Sequence, residues 1–211
     1  MRRIIMIVLA VPLLATAVWA VRSGPAPASA TVAGTATHQV RMAVPDEGDS
    51  PALAAQLAKA RLATARYAIN LQAAKAAGYQ ILTQMIPDMG FHFINPTITG
   101  FDITKPPILV YEHHGDSWQL GAFEWTFTAK PATPPLPGAT FGTFGAACHY
   151  KDGTFVFKPS QADCPKRSPL SGAAFFLWHP DLVTMHVWLW YPNPVSLYNG
   201  TNPYVHPFNN G

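Results

Sequence analysis

The residues of this chain best suited to chemistry are imidazoles and carboxylates set inside apolar, strand-like runs. His92 lies in Met89-Gly90-Phe91-His92-Phe93-Ile94-Asn95-Pro96, and Glu124 in Ala122-Phe123-Glu124-Trp125-Thr126. His186 lies in Thr184-Met185-His186-Val187-Trp188-Leu189-Trp190-Tyr191. Side chains of an extended segment alternate between two faces. His92 then points away from Phe91 and Phe93, and Glu124 away from Phe123 and Trp125. His186 shares a face with Trp188 and Trp190. A neutral polar group buried without a partner costs roughly 1–3 kcal/mol, and an unpaired carboxylate more. Lysine and arginine are scarce near these segments, so histidine or a metal ion becomes the natural partner for Glu124. Two imidazoles and a carboxylate on converging strands are a ligand set for Zn²⁺ or non-haem iron, with Cu²⁺ a third candidate. His92, Glu124 and His186 are the expected metal ligands, and His179 and Glu112 are the candidates for a fourth position.

A plainer reading stands beside this one. Alternation also arises where one sheet face is simply wet, and a core histidine is often satisfied by a backbone carbonyl. The aromatic residues suggest a further use: Phe91, Phe93, Trp125, Trp188 and Trp190 are expected to line an apolar pocket for a small ligand. His113-His114-Gly115-Asp116 and Lys151-Asp152-Gly153 read as turns between strands, and His206 falls in the tail. The chain has no Gly-x-Ser-x-Gly elbow, phosphate-binding glycine loop or His-Glu-x-x-His helix. Asn199-Gly200-Thr201 matches a glycosylation sequon.

The elements that must position these residues follow from pattern. Ser50-Pro51 is a helix start, with Ser50 as N-cap and Pro51 at the first helical position. An alanine-rich run then continues to Gly78, a natural C-cap. Leu53, Leu57, Ala60, Thr64, Tyr67 and Leu71 mark its buried stripe, and Leu62 with Ile69 a smaller second patch. Such a helix would be roughly 40 Å long. Beyond it, strands are expected at 91–95, 108–112, 119–128, 154–158, 173–178 and 183–191. The proline-rich stretch 131–138 is expected as an exposed loop, and the chain from Pro192 as irregular coil. One long N-terminal helix packed against a curved, mainly antiparallel sheet makes an α+β fold. Residues 50–211 form one expected globular domain after a flexible lead-in at 31–49.

The amino terminus sets the compartment. Met1-Arg2-Arg3 precedes an uncharged run from Ile4 to Val21 and the small-x-small site Ala28-Ser29-Ala30. This is the pattern of an export signal over residues 1–30, with an uncleaved membrane anchor as the alternative. Either way the rest of the chain is expected in a secreted or extracytoplasmic location, touching a membrane only through that segment. The formal net charge of +3 belongs to the leader. Arg2, Arg3 and Arg22 are three of the 14 basic residues, and residues 1–30 hold no acid, so a cut after Ala30 leaves basic residues equal in number to the 11 acidic ones. No basic cluster invites nucleic acid. Cys148 and Cys164, an isolated pair in a chain bound for an oxidising space, are expected to form a disulfide. It would contribute on the order of 3 kcal/mol. Metal thiolates would want closer spacing or more sulfur ligands.

Several segments, in order, carry a resemblance: Ala63-Thr64-Ala65-Arg66-Tyr67 leading to Ala77-Gly78-Tyr79, the Met89–Pro96 segment, Pro107-Ile108-Leu109-Val110-Tyr111-Glu112, Phe123-Glu124-Trp125, and His186-Val187-Trp188-Leu189-Trp190 followed by Asn193-Pro194. The chain thereby resembles a group of secreted bacterial proteins with no established activity. The resemblance implies that His92, Glu124 and His186 are shared landmarks, and supplies no reaction. His179 stands seven positions before His186, wider than that resemblance leads one to expect. The functional readings are a binding domain for a metal (Zn, Fe or Cu) or another small ligand, a metal-dependent extracytoplasmic enzyme, and a structural envelope protein without ligand.

Overall fold

The computed structural model describes residues 50–210. The expected signal segment 1–30 and lead-in 31–49 lie outside the described residues. Among the described residues, no helix is long and apolar enough to cross a membrane.

The long helix is replaced by shorter pieces. Helix α1 spans Pro51–Thr64, a 3-10 turn follows at Ala65–Tyr67, and α2 spans Leu71–Ala76. The expected stripe is nonetheless kept, with Leu53, Ala60, Thr64, Tyr67 and Leu71 buried. The break has a tertiary cause. The Tyr67 carbonyl accepts from the Tyr111 hydroxyl at 2.8 Å, and the Ala68 carbonyl accepts from Leu120 N–H at 2.8 Å. The Ala68 oxygen is thus taken by the sheet. The Tyr67 oxygen is shared between Tyr111 and an i+3 turn bond from Asn70 N–H at 3.2 Å, rather than serving a further α-helical turn. Asn70 then opens α2 by accepting from Ala73 N–H at 3.0 Å, a side-chain N-cap. Helix propensity favours continuity here, but the sheet's hydrogen bonds override it. Ser50 sits at the N-cap of α1 without a capping bond from its side chain.

Nine strands follow: β1 Gln80–Ile86, β2 Gly90–Ile94, β3 Ile108–His114, β4 Ser117–Phe127, β5 Gly142–Phe144, β6 Ala147–Tyr150, β7 Phe155–Phe157, β8 Phe175–His179 and β9 Leu182–Val187. They make a curled six-stranded antiparallel sheet, ordered β1-β2-β3-β4-β9-β5, and a three-stranded sheet ordered β7-β6-β8. All six expected runs contain strands, whereas β1, β5 and β6 escape the sequence pattern. The two expected turns fall at Gly115-Asp116 and at Lys151–Gly153.

Alternation divides the large sheet into two faces. Leu109, Tyr111, Phe123, Trp125, Met185 and Val187 pack into one core with residues of α1 and α2. Ile108, Val110, Ala122 and Trp188 belong to a second core on the other face. A bulge in β4 pairs Val110 with Ala122 but Tyr111 with Leu120, leaving Gly121 as the extra residue. Bulges bend a strand and strengthen its twist, which suits a sheet that curls. The small sheet closes over the concave face. Its hairpin tip docks on β1, where Gln84 N–H donates to the Gly153 carbonyl at 2.9 Å. Gly153 has φ +84, and a Cβ there would lie 2.8 Å from Gln84 N and 2.9 Å from the Thr83 carbonyl carbon. Only glycine fits that approach.

Candidate metal centre and adjoining cavity

Between the two sheets lies a cavity of about 270 Å³. His92 from β2, Glu124 from β4, His149 from β6 and His179 from β8 all border it. The rest of its wall is largely apolar, with Leu82, Ile108 and Phe144 among its members.

His92, Glu124 and His186 meet beside this cavity, which His92 and Glu124 border. Register explains how: Glu124 is directly opposite His186 across β4 and β9, and both are buried. His92 is two strands away from Glu124, with β3 between them. Strands two apart in a flat sheet are separated by roughly 9.5 Å. The curl and the lengths of the two side chains close that span to 3.5 Å between His92 Nε2 and Glu124 Oε2. Glu124 Oε1 is 3.8 Å from His186 Nε2. One ligand atom from each of the three residues lies within 4.8 Å of the other two.

These gaps are too long for hydrogen bonds, and they have an electrostatic signature. His186 Nε2 is buried without a hydrogen-bond partner. Burial pushes the Glu124 carboxyl up to about 8, with no other cause. Among the described residues, no lysine or arginine pairs with it. Burial likewise lowers His92 to about 3, helped by neighbouring His186, and His186 to about 4. Burial thus favours the uncharged form of all three groups, and they face one another beyond hydrogen-bonding distance. A cation 2.0–2.2 Å from each would need ligand atoms no more than about 4.2 Å apart. Both imidazole–carboxylate separations satisfy that; the two imidazoles lie within 4.8 Å of each other. Thr83, paired with His92 across β1 and β2, supplies the outer partner: its Oγ1 lies 2.9 Å from His92 Nδ1 and accepts His92 N–H at 3.3 Å.

The other expected site residues go elsewhere. Glu112 is buried on β3 but stands four residues beyond Ile108, the cross-strand partner of Glu124, or roughly 13 Å along the strand. It does not join the cluster. Both its oxygens are buried without a partner, close to Gly90 and Gly121, and burial raises it to about 8. His179 borders the cavity, yet its Nε2 faces His149 Nε2 at 2.9 Å rather than the three ligands. None of the five aromatics expected to line a ligand pocket lines this cavity. Phe91, Phe93 and Trp125 occupy the opposite face of the sheet, on the helix side. Trp188 stays on the cavity side of the sheet but packs into the second core and donates from Nε1 to the Asn199 carbonyl at 2.7 Å.

Trp190 does not share the face of His186. β9 ends at Val187, and both Trp190 and Tyr191 N–H turn to the Gly121 carbonyl. Trp190 thus lands on the helix side, its Nε1 donating to Thr64 Oγ1 at 3.2 Å. The alternation argument fails where the strand stops.

His149 is the site residue that sequence reasoning missed. Its strand, Ala147-Cys148-His149-Tyr150, follows Gly145-Ala146 and carries little β-branched character. The available signal was its place beside Cys148. That cysteine is bonded to Cys164, with Cα atoms 5.7 Å apart, which sets the metal-thiolate alternative aside.

Comparison of the chain with protein-family models, with curated proteins and with solved structures finds no match in any of the three.

Proposed function

We propose that this chain is an extracytoplasmic binding domain that holds one divalent transition metal through His92, Glu124 and His186 and admits a small ligand to the cavity beside it. The observation that carries the reading is the buried, unbonded convergence of the three side chains, with ligand atoms inside 4.8 Å of one another. Two imidazoles and a carboxylate suit Zn²⁺, Fe²⁺ or Cu²⁺. The Thr83 hydroxyl at His92 Nδ1 is the kind of outer contact that orients a ligating imidazole. The disulfide fits an oxidising compartment, in keeping with the export signal read from residues 1–30.

A three-residue ligand set leaves a further coordination position. Because His92 and Glu124 both border the cavity, a molecule entering it would meet that position. This favours a metal-dependent enzyme as the second reading, with hydrolysis by a metal-activated water as its simplest form.

Element analysis of protein purified without an affinity tag tests the metal. The expected result is bound Zn, Fe or Cu and a rise in Tm when metal is restored to stripped protein. Protein that carries no metal, and whose melting Zn²⁺, Fe²⁺ and Cu²⁺ leave unmoved, would be a structural protein with a purely architectural polar core.

A further inference from the structure

We infer that His149 and His179 form a second metal-binding pair in the same cavity, taking a nitrogen-preferring divalent ion such as Cu²⁺, Ni²⁺ or Zn²⁺ through their two Nε2 atoms. The argument is one of proton placement. His149 Nδ1 lies 2.9 Å from the Leu82 carbonyl, and His179 Nδ1 lies 2.7 Å from the Pro180 carbonyl. A carbonyl oxygen only accepts, so each Nδ1 must carry the hydrogen. In neutral rings both Nε2 atoms then present lone pairs, and they face each other at 2.9 Å. Two lone pairs at that distance repel unless a positive centre sits between or beside them.

A proton is one such centre, and the surroundings work against it. His149 is buried, with the ring of Phe155 stacked on it at 5.5 Å and that of Phe144 tilted against it at 6.3 Å. A metal ion is the other centre. Imidazoles that ligate metals characteristically donate their remaining N–H to a backbone carbonyl, fixing the tautomer, and both rings already do so. Atoms 2.9 Å apart and about 2.05 Å from a common ion subtend an angle of about 90°, the cis angle of square-planar or octahedral coordination. Asp181, close enough to act electrostatically on His179, adds negative charge beside the pair. His179 is only partly buried, so water or a small ligand from the cavity can complete the coordination.

The site is separate from the three-residue cluster, and metal titration of three proteins distinguishes the two. Wild-type protein should bind two equivalents of Cu²⁺ or Zn²⁺, His179→Gln one, and the double variant Glu124→Gln/His186→Gln one. A single equivalent that disappears in His179→Gln and persists in the double variant would support the pair and overturn the cluster. A single equivalent unaffected by His179→Gln would overturn the pair. Histidine ¹⁵N spectra of wild-type protein answer the same question without relying on any variant's folding. Zn²⁺ should shift the Nε2 resonances of both His149 and His179, and their constancy through the titration would also overturn the pair.

Discussion

Glu124 and His186 are direct cross-strand partners on β4 and β9, yet Glu124 Oε1 and His186 Nε2 stand 3.8 Å apart. Opposed residues in an antiparallel pair have Cβ atoms about 4.5–5.5 Å apart, so a hydrogen bond between these side chains lies well within reach. Instead the carboxylate divides its oxygens between His186 and His92, meeting each beyond bonding distance. That spacing suits three ligands arranged around a common centre better than a closed polar network.

The metal-free protein should be most stable near pH 6.5. Burial holds Glu112 and Glu124 at about 8, so the folded state keeps protons that the unfolded chain has released above about 4.5. Their contribution is full at low pH and is lost as pH rises through about 8. His92 at about 3, and His149 and His186 at about 4, have the opposite sign. Their contribution is present above about 6.5 and is lost as pH falls towards 4. Denaturant titrations from pH 4 to 9 should show a maximum with both limbs descending. The alkaline limb should lose on the order of 2 kcal/mol per buried carboxyl, and Glu124→Gln should roughly halve it, leaving the share of Glu112. A monotonic rise to pH 9 would contradict the assignment.

Metal uptake should release a proton at neutral pH. Glu124 is protonated in the metal-free fold at pH 7, and a carboxylate must be ionised to ligate. Burial keeps His92, His149 and His186 neutral there, so they contribute no proton. Calorimetric titration at pH 7 in buffers of differing ionisation enthalpy should report close to one proton per ion bound at the cluster, falling towards zero above pH 9. Release near zero at pH 7 would mean that Glu124 is not a ligand.

The meeting of His92, Glu124 and His186 was legible in the sequence because each interrupts an apolar strand at the period of two. Where that period held, the facing of the residues followed. It stopped being informative at Val187, where the strand ends, so Trp190 changed sides. The continuous helix failed for a different reason: the bonds from Tyr111 and Leu120 to the Tyr67 and Ala68 carbonyls are tertiary and leave no local pattern. His149 was hidden for the same reason. Its importance lies in Leu82 and His179, which are 67 and 30 residues away.

Reducing the Cys148–Cys164 bond should lower stability and loosen the neighbouring histidine pair. The bond closes a loop with a sequence separation of 16, worth about 3 kcal/mol of unfolded-state entropy. That corresponds to a fall in Tm of roughly 6–12 °C for a domain of this size. Cys148 adjoins His149 on β6, so the ¹⁵N resonances of His149 should broaden on reduction while those of His92 stay sharp. An unchanged melting curve after verified reduction would show that the bond adds nothing to the fold.

Thr83→Val tests whether His92 is held as a ligand or merely packed. The substitution keeps the shape of the side chain and removes the hydroxyl that lies 2.9 Å from His92 Nδ1 and accepts His92 N–H. Leaving those buried groups unmet should cost about 1–3 kcal/mol, seen as a lower denaturant midpoint. If the Thr83 hydroxyl orients a ligating imidazole, metal affinity should also fall by roughly 10–100-fold. Thr83→Ser, which restores the hydroxyl, should recover affinity even if the lost methyl leaves some stability missing. A purely structural role gives a different result: Thr83→Val and Thr83→Ser would differ in stability but bind metal with the same Kd. Affinity that follows the hydroxyl, independently of the melting temperature, ties His92 Nε2 to the metal through the strand pairing of β1 and β2.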